Sequence, residues 1–202
     1  IDINNPRYDL IFPMCEFELH GGYEKLMEME SKLLEFVGYV PKPCEKLVSP
    51  MSRLTDEQIP LCKYEDVARY YNVQELEHEH EDMICQKFGN AVMITDFPCE
   101  ESYWNMKTYK KNGKKYAKKT DVILSGWETI GSAEREVDKD VMRENFYLQE
   151  QGRFVDTLYR MFGKDRVEKE LNEFLSQDFF PRSGGGIGLT RFIRFLKLNN
   201  LL

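Results

Sequence analysis

The spacing of hydrophobic and polar residues changes several times along the chain, and each change predicts a different element. Residues 9–20 end in Glu-Phe-Glu-Leu-His, where alternation predicts a strand that carries Glu16 and Glu18 on one face. Gly21-Gly22 ends this strand. Apolar residues then recur at helical spacing over residues 23–37, which indicates an amphipathic helix packed against a sheet.

The rest of the chain contains both strand-like and helix-like segments. We expect strands over residues 91–97 and 103–109, whereas residues 41–60 have no clear period and predict a loop or short hairpin. Further helices are predicted over residues 64–71, 77–87, 139–147, 152–162 and 165–175. This mixture predicts an α+β fold with an antiparallel sheet flanked by helices.

One stretch, residues 121–137, carries charged groups along two predicted strands. Asp121, Glu128 and Arg135 are spaced seven residues apart, with a turn at Ser125-Gly126. Side chains of one parity share a face, so residues on two such strands can converge on one cleft. Two carboxylates repel each other unless a cation lies between them, and an oxygen-only pair suits Mg²⁺. Arg135 can then hold a carboxylate or amide oxygen.

These three groups indicate a site for a nucleotide and an acidic metabolite. Taken alone, they fit a surface hairpin with a salt bridge better. The C-terminal segment adds a glycine run, Gly184-Gly185-Gly186-Ile187-Gly188, on a predicted strand that a flat ligand or a backbone can approach closely. The following helix offers free N–H groups and Arg191 to an anion. Glycines alone also fit a bulge or linker, but strand, helix and arginine together favour a binding site.

Length, charge and cysteine content narrow the class of protein. A chain of 202 residues suits one large domain, and no apolar run is long enough to span a membrane. The five cysteines are scattered, as in a reduced cytoplasmic protein. A net charge of −7 argues against a general nucleic-acid binder. Seven lysines between residues 107 and 119 surround Asn112-Gly113, which favours a solvated hairpin tip over contact with an RNA backbone.

The C-terminal motifs resemble those of class II aminoacyl-tRNA synthetases of the aspartate, asparagine and lysine group. Residues 183–191, Ser-Gly-Gly-Gly-Ile-Gly-Leu-Thr-Arg, are similar to motif 3. The resemblance implies that Arg191 holds the γ-phosphate of a bent ATP and that Gly186 lies against the nucleotide. Residues 121–136 resemble the preceding strand pair, which implies that Asp121 and Glu128 hold Mg²⁺ and ATP and that Arg135 binds the amino acid. Arg191 and Glu128 would be the catalytic residues.

The N-terminal residues extend this resemblance. Residues 4–19 are similar to the end of motif 2, where Arg7 would contact ATP, Phe12 would stack on adenine, and Glu16 and Glu18 would face the amino acid. Residues 75–98 also resemble the asparaginyl branch. The resemblance implies that residues 1–202 are a class II synthetase-like catalytic domain that starts within motif 2 and ends just after motif 3. It further implies ATP and Mg²⁺ as cofactors, a homodimer, no membrane, and tRNA bound through parts outside this chain.

Glu16 bears on which amino acid is bound. A carboxylate can accept from the amide of asparagine but would repel the side chain of aspartate, so Glu16 favours asparagine. Residues 130–136, Ile-Gly-Ser-Ala-Glu-Arg-Glu, resemble the asparaginyl pattern more than the aspartyl one. Glu134 replaces a glutamine of that pattern, and this change also resembles the archaeal asparagine synthetase derived from the family.

Several family features differ or are missing. Motif 1, the first motif 2 strand with its α-phosphate arginine, and an anticodon-binding barrel are not found, so we expect a core that is incomplete at the N-terminus. Thr190 replaces a glutamate, and Ile11 replaces an acid. Three hypotheses follow: an asparagine-tRNA ligase that activates asparagine as an adenylate, an asparagine synthetase that uses aspartate, ATP and ammonia, and a non-catalytic paralogue that acts as a binding module.

Overall fold

The computed structural model describes residues 11–41, 51–52, 59–99 and 102–202. Its centre is an eight-stranded sheet in the order β1-β8-β7-β6-β4-β3-β2, with β5 paired to β6 outside this path. The strands are β1 (Met14–His20), β2 (Met51–Ser52), β3 (Leu61–Lys63), β4 (Ala91–Pro98), β5 (Thr108–Lys111), β6 (Lys114–Leu124), β7 (Trp127–Glu134) and β8 (Arg182–Gly188).

The sheet confirms the α+β prediction but is not wholly antiparallel. β3 and β4 run parallel, while the other paired strands are antiparallel. The exception has a simple cause, since two helices lie between β3 and β4 and return the chain to the same end of the sheet. The helices are α1 (Tyr23–Phe36), α2 (Tyr64–Tyr71), α3 (His78–Phe88), α4 (Lys139–Leu148), α5 (Arg153–Phe162), α6 (Lys164–Leu175) and α7 (Leu189–Leu198).

Two tight turns set the register of the central strands. Ser125 and Gly126 join β6 to β7, and Asn112 and Gly113 join β5 to β6. All four residues have positive φ, between 47° and 84°, as two-residue hairpin turns require. The predicted turns are therefore both present.

The two faces of the sheet are covered differently. On one face, α1 and α7 bury Met93, Val122, Leu124 and Ile130 around the fully buried Phe195. On the other face, α2 and α3 cover Val92, Ile94, Ala117 and Ile123, which belong to β4 and β6. A third core joins α4, α5 and α6. Among the described residues, none of these cores includes the part of the second face that lies over β7, β8 and β1.

One predicted strand is wrong in its bounds. Residues 103–107 form a turn with an isolated bridge between Met106 and Arg135, and β5 begins only at Thr108. Trp104 in this turn packs edge-on against Phe146 and Phe174, so its aromatic side chain belongs to the third core and not to the sheet. Most of the predicted loop over residues 41–60 lies outside the described residues. None of the helices in the described ranges is long and apolar enough to cross a bilayer.

Candidate active site

A strip of three glycines and one alanine runs across the middle of the uncovered face. Asp121 pairs with Gly131, Gly131 with Gly186, and Gly186 with Glu16, so these four residues form one row across β6, β7, β8 and β1. The next row contains Lys119, Ala133, Gly184 and Glu18. Residues that oppose each other in an antiparallel sheet point to the same face. Charged side chains therefore flank a strip of Gly131, Ala133, Gly184 and Gly186, which we call the glycine floor.

A β-bulge brings all three groups of the 121–137 stretch to this face. Glu128 of β7 and Arg135, which directly follows β7, are an odd number of residues apart, so a regular extended chain would place them on opposite faces. The pairing shifts by one residue between Val122 and Ile123, which pair with Ile130 and Glu128. This bulge reverses the alternation, because it inserts one unpaired residue, and Arg135 joins Glu128 and Asp121 on the cleft face.

Asp121 and Glu128 approach each other over Gly131. A Cβ built on Gly131 would lie 3.1 Å from Glu128 Oε1 and 3.7 Å from Asp121 Oδ1. Asp121 is buried, and its Oδ1 has no hydrogen-bond partner among the described residues, whereas its Oδ2 lies 2.8 Å from Lys119 Nζ. Burial, and then the charge of Glu128, raises the pKa of the Asp121 carboxyl, while Lys119 opposes the shift.

These two acids fit a magnesium ion. A buried carboxylate oxygen without a donor, facing a second carboxylate, is the arrangement that a divalent cation completes. Among the described residues, no three His, Cys, Asp or Glu side chains form a metal-binding group. A two-carboxylate site suits Mg²⁺ in particular, because this ion usually keeps several water ligands and substrate phosphates.

The opposite end of the glycine floor carries two guanidinium groups around one acid. Arg135 Nε donates to Glu18 Oε1 at 3.0 Å, and Nη2 lies 3.0 Å from the same oxygen. Arg182 Nε lies 3.8 Å from Oε2 of the same carboxylate. His20, opposite Arg182 in the strand pair, stacks on Phe180 with ring centroids 4.6 Å apart. This end of the cleft suits a small polar molecule with its own carboxylate.

Arg191 lies at the acidic end of the cleft. It sits in the first turn of α7 and donates from Nη1 to the main-chain carbonyl of Glu128. The neighbouring Arg194 lies 4.2 Å above the Trp127 ring. A positive charge at a helix N-terminus beside two acids suits a phosphate chain with its cation.

The structure does not bring every predicted residue together. Arg7 lies outside the described residues. Phe12 precedes β1 and is half exposed, and Met14, two residues later, covers Gly186: its Sδ lies 2.5 Å from the position of a Cβ there. Glu16 is exposed at the β1 end of its row.

Sequence reasoning missed three charged residues of the site. Lys119 could have been found, because it lies two residues before Asp121 on the same strand and thus on the same face. Arg182 likewise lies two residues before Gly184 on the same strand and therefore on the same face. Glu81 of α3 had no such signal, yet its Oε2 accepts a hydrogen bond of 2.9 Å from the amide of Glu128.

Glu134 does not face the cleft. It projects to the opposite side of the sheet, where its oxygens lie 3.0 Å from Lys107 Nζ and 2.8 Å from Lys118 Nζ. The amide of Tyr23 also donates to it, at 3.0 Å. Burial acts to raise the pKa of Glu134, but the two lysines and this amide outweigh it and lower the pKa.

The fold and cleft define a class II synthetase type of catalytic core, and comparison with known proteins agrees. The model of the family "tRNA synthetases class II (D, K and N)" matches residues 4–200, so this chain belongs to that family. No curated protein sequence matches it. The resemblance drawn from the motifs is therefore confirmed.

Solved structures of the family share the fold at low sequence identity. An aspartyl-tRNA synthetase from Entamoeba histolytica is 17% identical with a TM-score of 0.67, over 95% of this chain and 42% of that one. An asparaginyl-tRNA synthetase from Pyrococcus horikoshii in complex with asparaginyl-adenylate is 17% identical with a TM-score of 0.66, over 94% and 45%. The asparaginyl enzyme of E. histolytica is 14% identical with a TM-score of 0.68, over 94% and 45%. The chain thus spans less than half the length of these proteins.

Proposed function

We propose that this chain is the catalytic core of an asparagine-tRNA ligase, which activates asparagine with ATP as an adenylate and transfers it to tRNA. The observation that carries the proposal is the division of one cleft into two ends. Asp121, Glu128 and Arg191 lie at one end, and Glu18 and Arg135 lie at the other, with the glycine floor between them.

This division suits the attack of a carboxylate on the α-phosphate of ATP. The triphosphate would lie against Arg191 and the two acids. Asp121 and Glu128 are the residues suited to Mg²⁺, and this ion, when bound, neutralises phosphate charge. The amino acid would lie against Arg135. Its carboxylate oxygen forms a bond to the α-phosphorus, and the bond to the β-phosphate oxygen breaks, releasing pyrophosphate. The chain contributes mainly position and charge to this step.

The preference for asparagine rests on Glu16. Its carboxylate is exposed on the cleft face, in the row that includes Gly186 and Asp121. There it can accept a hydrogen bond from an amide NH₂, whereas a second carboxylate would be repelled.

Pyrophosphate exchange into ATP, measured on the full-length protein with asparagine or aspartate, tests the proposal. We expect asparagine-dependent exchange that falls on the order of 100-fold in Glu128→Gln, because a carboxylate suited to the Mg²⁺ that neutralises the phosphate charge is lost. Glu170→Gln on the exposed surface of α6 is the matched control and should keep full activity. If neither amino acid supports exchange, the hypothesis of a non-catalytic binding module is favoured.

A second candidate is the asparagine synthetase, and Arg182 favours it. With Arg135, it places two guanidinium groups around Glu18, an arrangement that suits an additional carboxylate such as the side chain of aspartate. This enzyme would show aspartate-dependent exchange and would form asparagine from ammonia without tRNA. Arg182→Gln should then weaken the binding of aspartate more than the binding of asparagine.

A further inference from the structure

The β5–β6 hairpin concentrates positive charge in an acidic protein. Residues 107–119, which we call the lysine hairpin, contain seven lysines and no acid, although the chain has a net charge of −7. Two pairs of these lysines also oppose each other directly across the strands, Lys110 with Lys115 and Lys111 with Lys114. Like charges in such positions destabilise a hairpin. A polyanion bound there would relieve the repulsion.

Acids among the described residues neutralise only part of this charge. Lys107 and Lys118 pair with Glu134, Lys119 pairs with Asp121, and Lys114 lies 2.9 Å from Glu65. Lys110, Lys111 and Lys115 have no carboxylate within 4.0 Å among the described residues, and Lys115 contacts only the amide oxygen of Asn145, at 3.4 Å. Three lysines at the tip are thus available to phosphate groups.

The hairpin also offers an aromatic cavity beside Lys111, on the face opposite to Lys110 and Lys115. Tyr109 and Tyr116 stack with ring centroids 5.6 Å apart. They line a cavity of about 310 Å³ together with Lys63, Glu65, Asp66, Asp96, Lys111 and Asn112. Three carboxylates line this cavity beside Lys63 and Lys111, so we assign the phosphate contacts to the lysines of the hairpin and not to the cavity.

The lysine hairpin continues from the amino-acid end of the cleft. β6 carries both Lys115 and Asp121, and the strand is unbroken between them, so the two residues are about 20 Å apart along it. Lys115 and its partner Lys110 share the face of Ala117 and Lys119, which is the cleft face. Met106, which leads into β5, bridges directly to Arg135.

We infer that the lysine hairpin binds the phosphate backbone of an RNA whose end enters the cleft. The inference rests on the proposed function, in which tRNA is the acceptor, and adds a contact surface within this chain. Lys110, Lys111 and Lys115 contact phosphates and carry no sequence information. Binding through them depends steeply on salt, because each contact releases counterions.

Fluorescence anisotropy on the full-length protein tests the inference, with labelled bulk tRNA titrated between 50 and 200 mM KCl. The test variant is Lys110→Ala/Lys111→Ala/Lys115→Ala. The control is Lys32→Ala/Lys169→Ala/Lys197→Ala, which removes the same charge from exposed positions on α1, α6 and α7. We expect the test variant to bind at least about tenfold more weakly at 50 mM and to lower the salt slope by about two to three, with the control unchanged.

Two further measurements separate this inference from the proposed function and from misfolding. The test variant should unfold at the same or a higher temperature than the wild type, because like-charge pairs are removed, and should keep its pyrophosphate exchange. Equal RNA affinity and salt slope in the test variant and the wild type overturn the inference, whatever the exchange shows. Selective binding to phosphatidylserine vesicles in place of tRNA also overturns it. RNA binding that depends on these lysines, in a protein without pyrophosphate exchange, supports the inference and contradicts the proposed function.

Discussion

Glu18 and Arg135 join two strands that are not neighbours in the sheet. Glu18 is on β1 and Arg135 follows β7, with the glycine strand β8 between them, yet Nε and Nη2 of Arg135 both lie 3.0 Å from Glu18 Oε1. The contact depends on the missing side chain at Gly184, because a Cβ there would lie 2.5 Å from Cδ of Glu18. The glycine floor therefore determines how the charged groups at this end of the cleft are arranged.

Arg135→Lys should weaken amino-acid binding more than ATP binding. Lysine keeps the charge but loses the planar pair of donors that Glu18 now accepts. We expect the KM for the amino acid in pyrophosphate exchange to rise by about tenfold or more, roughly 1.4 kcal/mol, with the KM for ATP within about twofold. Arg166→Lys, in the exposed pair with Glu170 on α6, is the control. An equal rise in both KM values would contradict a role at the amino-acid end.

Gly131→Ala should raise the Mg²⁺ concentration needed for activity. The added methyl group would crowd Glu128 Oε1 at 3.1 Å, while Asp121 Oδ1 at 3.7 Å is in ordinary contact, so Glu128 would have to move away from its present position opposite Asp121. We expect half-maximal exchange at a several-fold higher Mg²⁺ concentration, with little change in unfolding temperature. Gly188→Ala adds a methyl group only in ordinary contact, 3.6 Å from the carbonyl of Thr129, and should have a smaller effect. An unchanged Mg²⁺ dependence would argue against the acid pair as the ion site.

Glu134→Gln should leave the amino-acid preference unchanged and reduce stability. Glu134 accepts from Lys107, Lys118 and the Tyr23 amide on the face away from the cleft, so neutralising it leaves two lysines without their partner. We expect a loss of about 1–3 kcal/mol in the free energy of unfolding, measured by urea denaturation. The exposed Glu144→Gln is the control. A changed ratio of asparagine- to aspartate-dependent exchange would show that Glu134 acts on the substrate.

Glu30 should make the protein less stable as the pH rises. It is fully buried beneath the sheet, where Ser132 donates to its Oε1 at 2.5 Å and its Oε2 has no partner in the described part of the chain. Burial raises the pKa of Glu30 to about 8, above the value of 4.5 for an unperturbed glutamate. The folded state therefore holds a proton that the unfolded state releases between these two values. The stabilising effect of this bound proton on the folded state is complete below pH 4.5 and is lost as the pH rises towards 8.

Glu30→Gln is the test of this titration. Across pH 5 to 8, the wild type should lose up to about 1.4 kcal/mol per pH unit relative to the variant, by urea denaturation at each pH. Glu24→Gln, exposed on the same helix, should follow the wild type. Parallel pH profiles for wild type and Glu30→Gln would mean that Glu30 does not titrate in this range.

Local pattern was enough to predict most elements of the fold. The alternation at Glu16 and Glu18 predicted their shared face, and Phe17 and Leu19 do pack on the α1 side. The helical spacing of apolar residues predicted the bounds of α1 to α6 within a few residues, because the apolar face of a helix depends only on residues close together in the sequence. The strand predicted at residues 103–109 was wrong in its bounds because Trp104 packs into a helical core that is distant in the sequence. The local spacing of hydrophobic residues gives no sign of this contact.

The candidate site shows the limit of such reasoning most clearly. The sequence by itself determined that two acids and an arginine would lie along two strands joined by a tight turn, and that a glycine run would form a further strand. Only the tertiary structure decided that Glu128 and Arg135 share a face, since their odd spacing requires the bulge opposite Val122 and Ile123. The same bulge turns Glu134 away from the cleft. Strand register and the covering of each face depend on pairing between distant segments. This is why the roles of Glu81, Arg182 and the hairpin lysines that lack a carboxylate partner among the described residues emerge only from the folded chain.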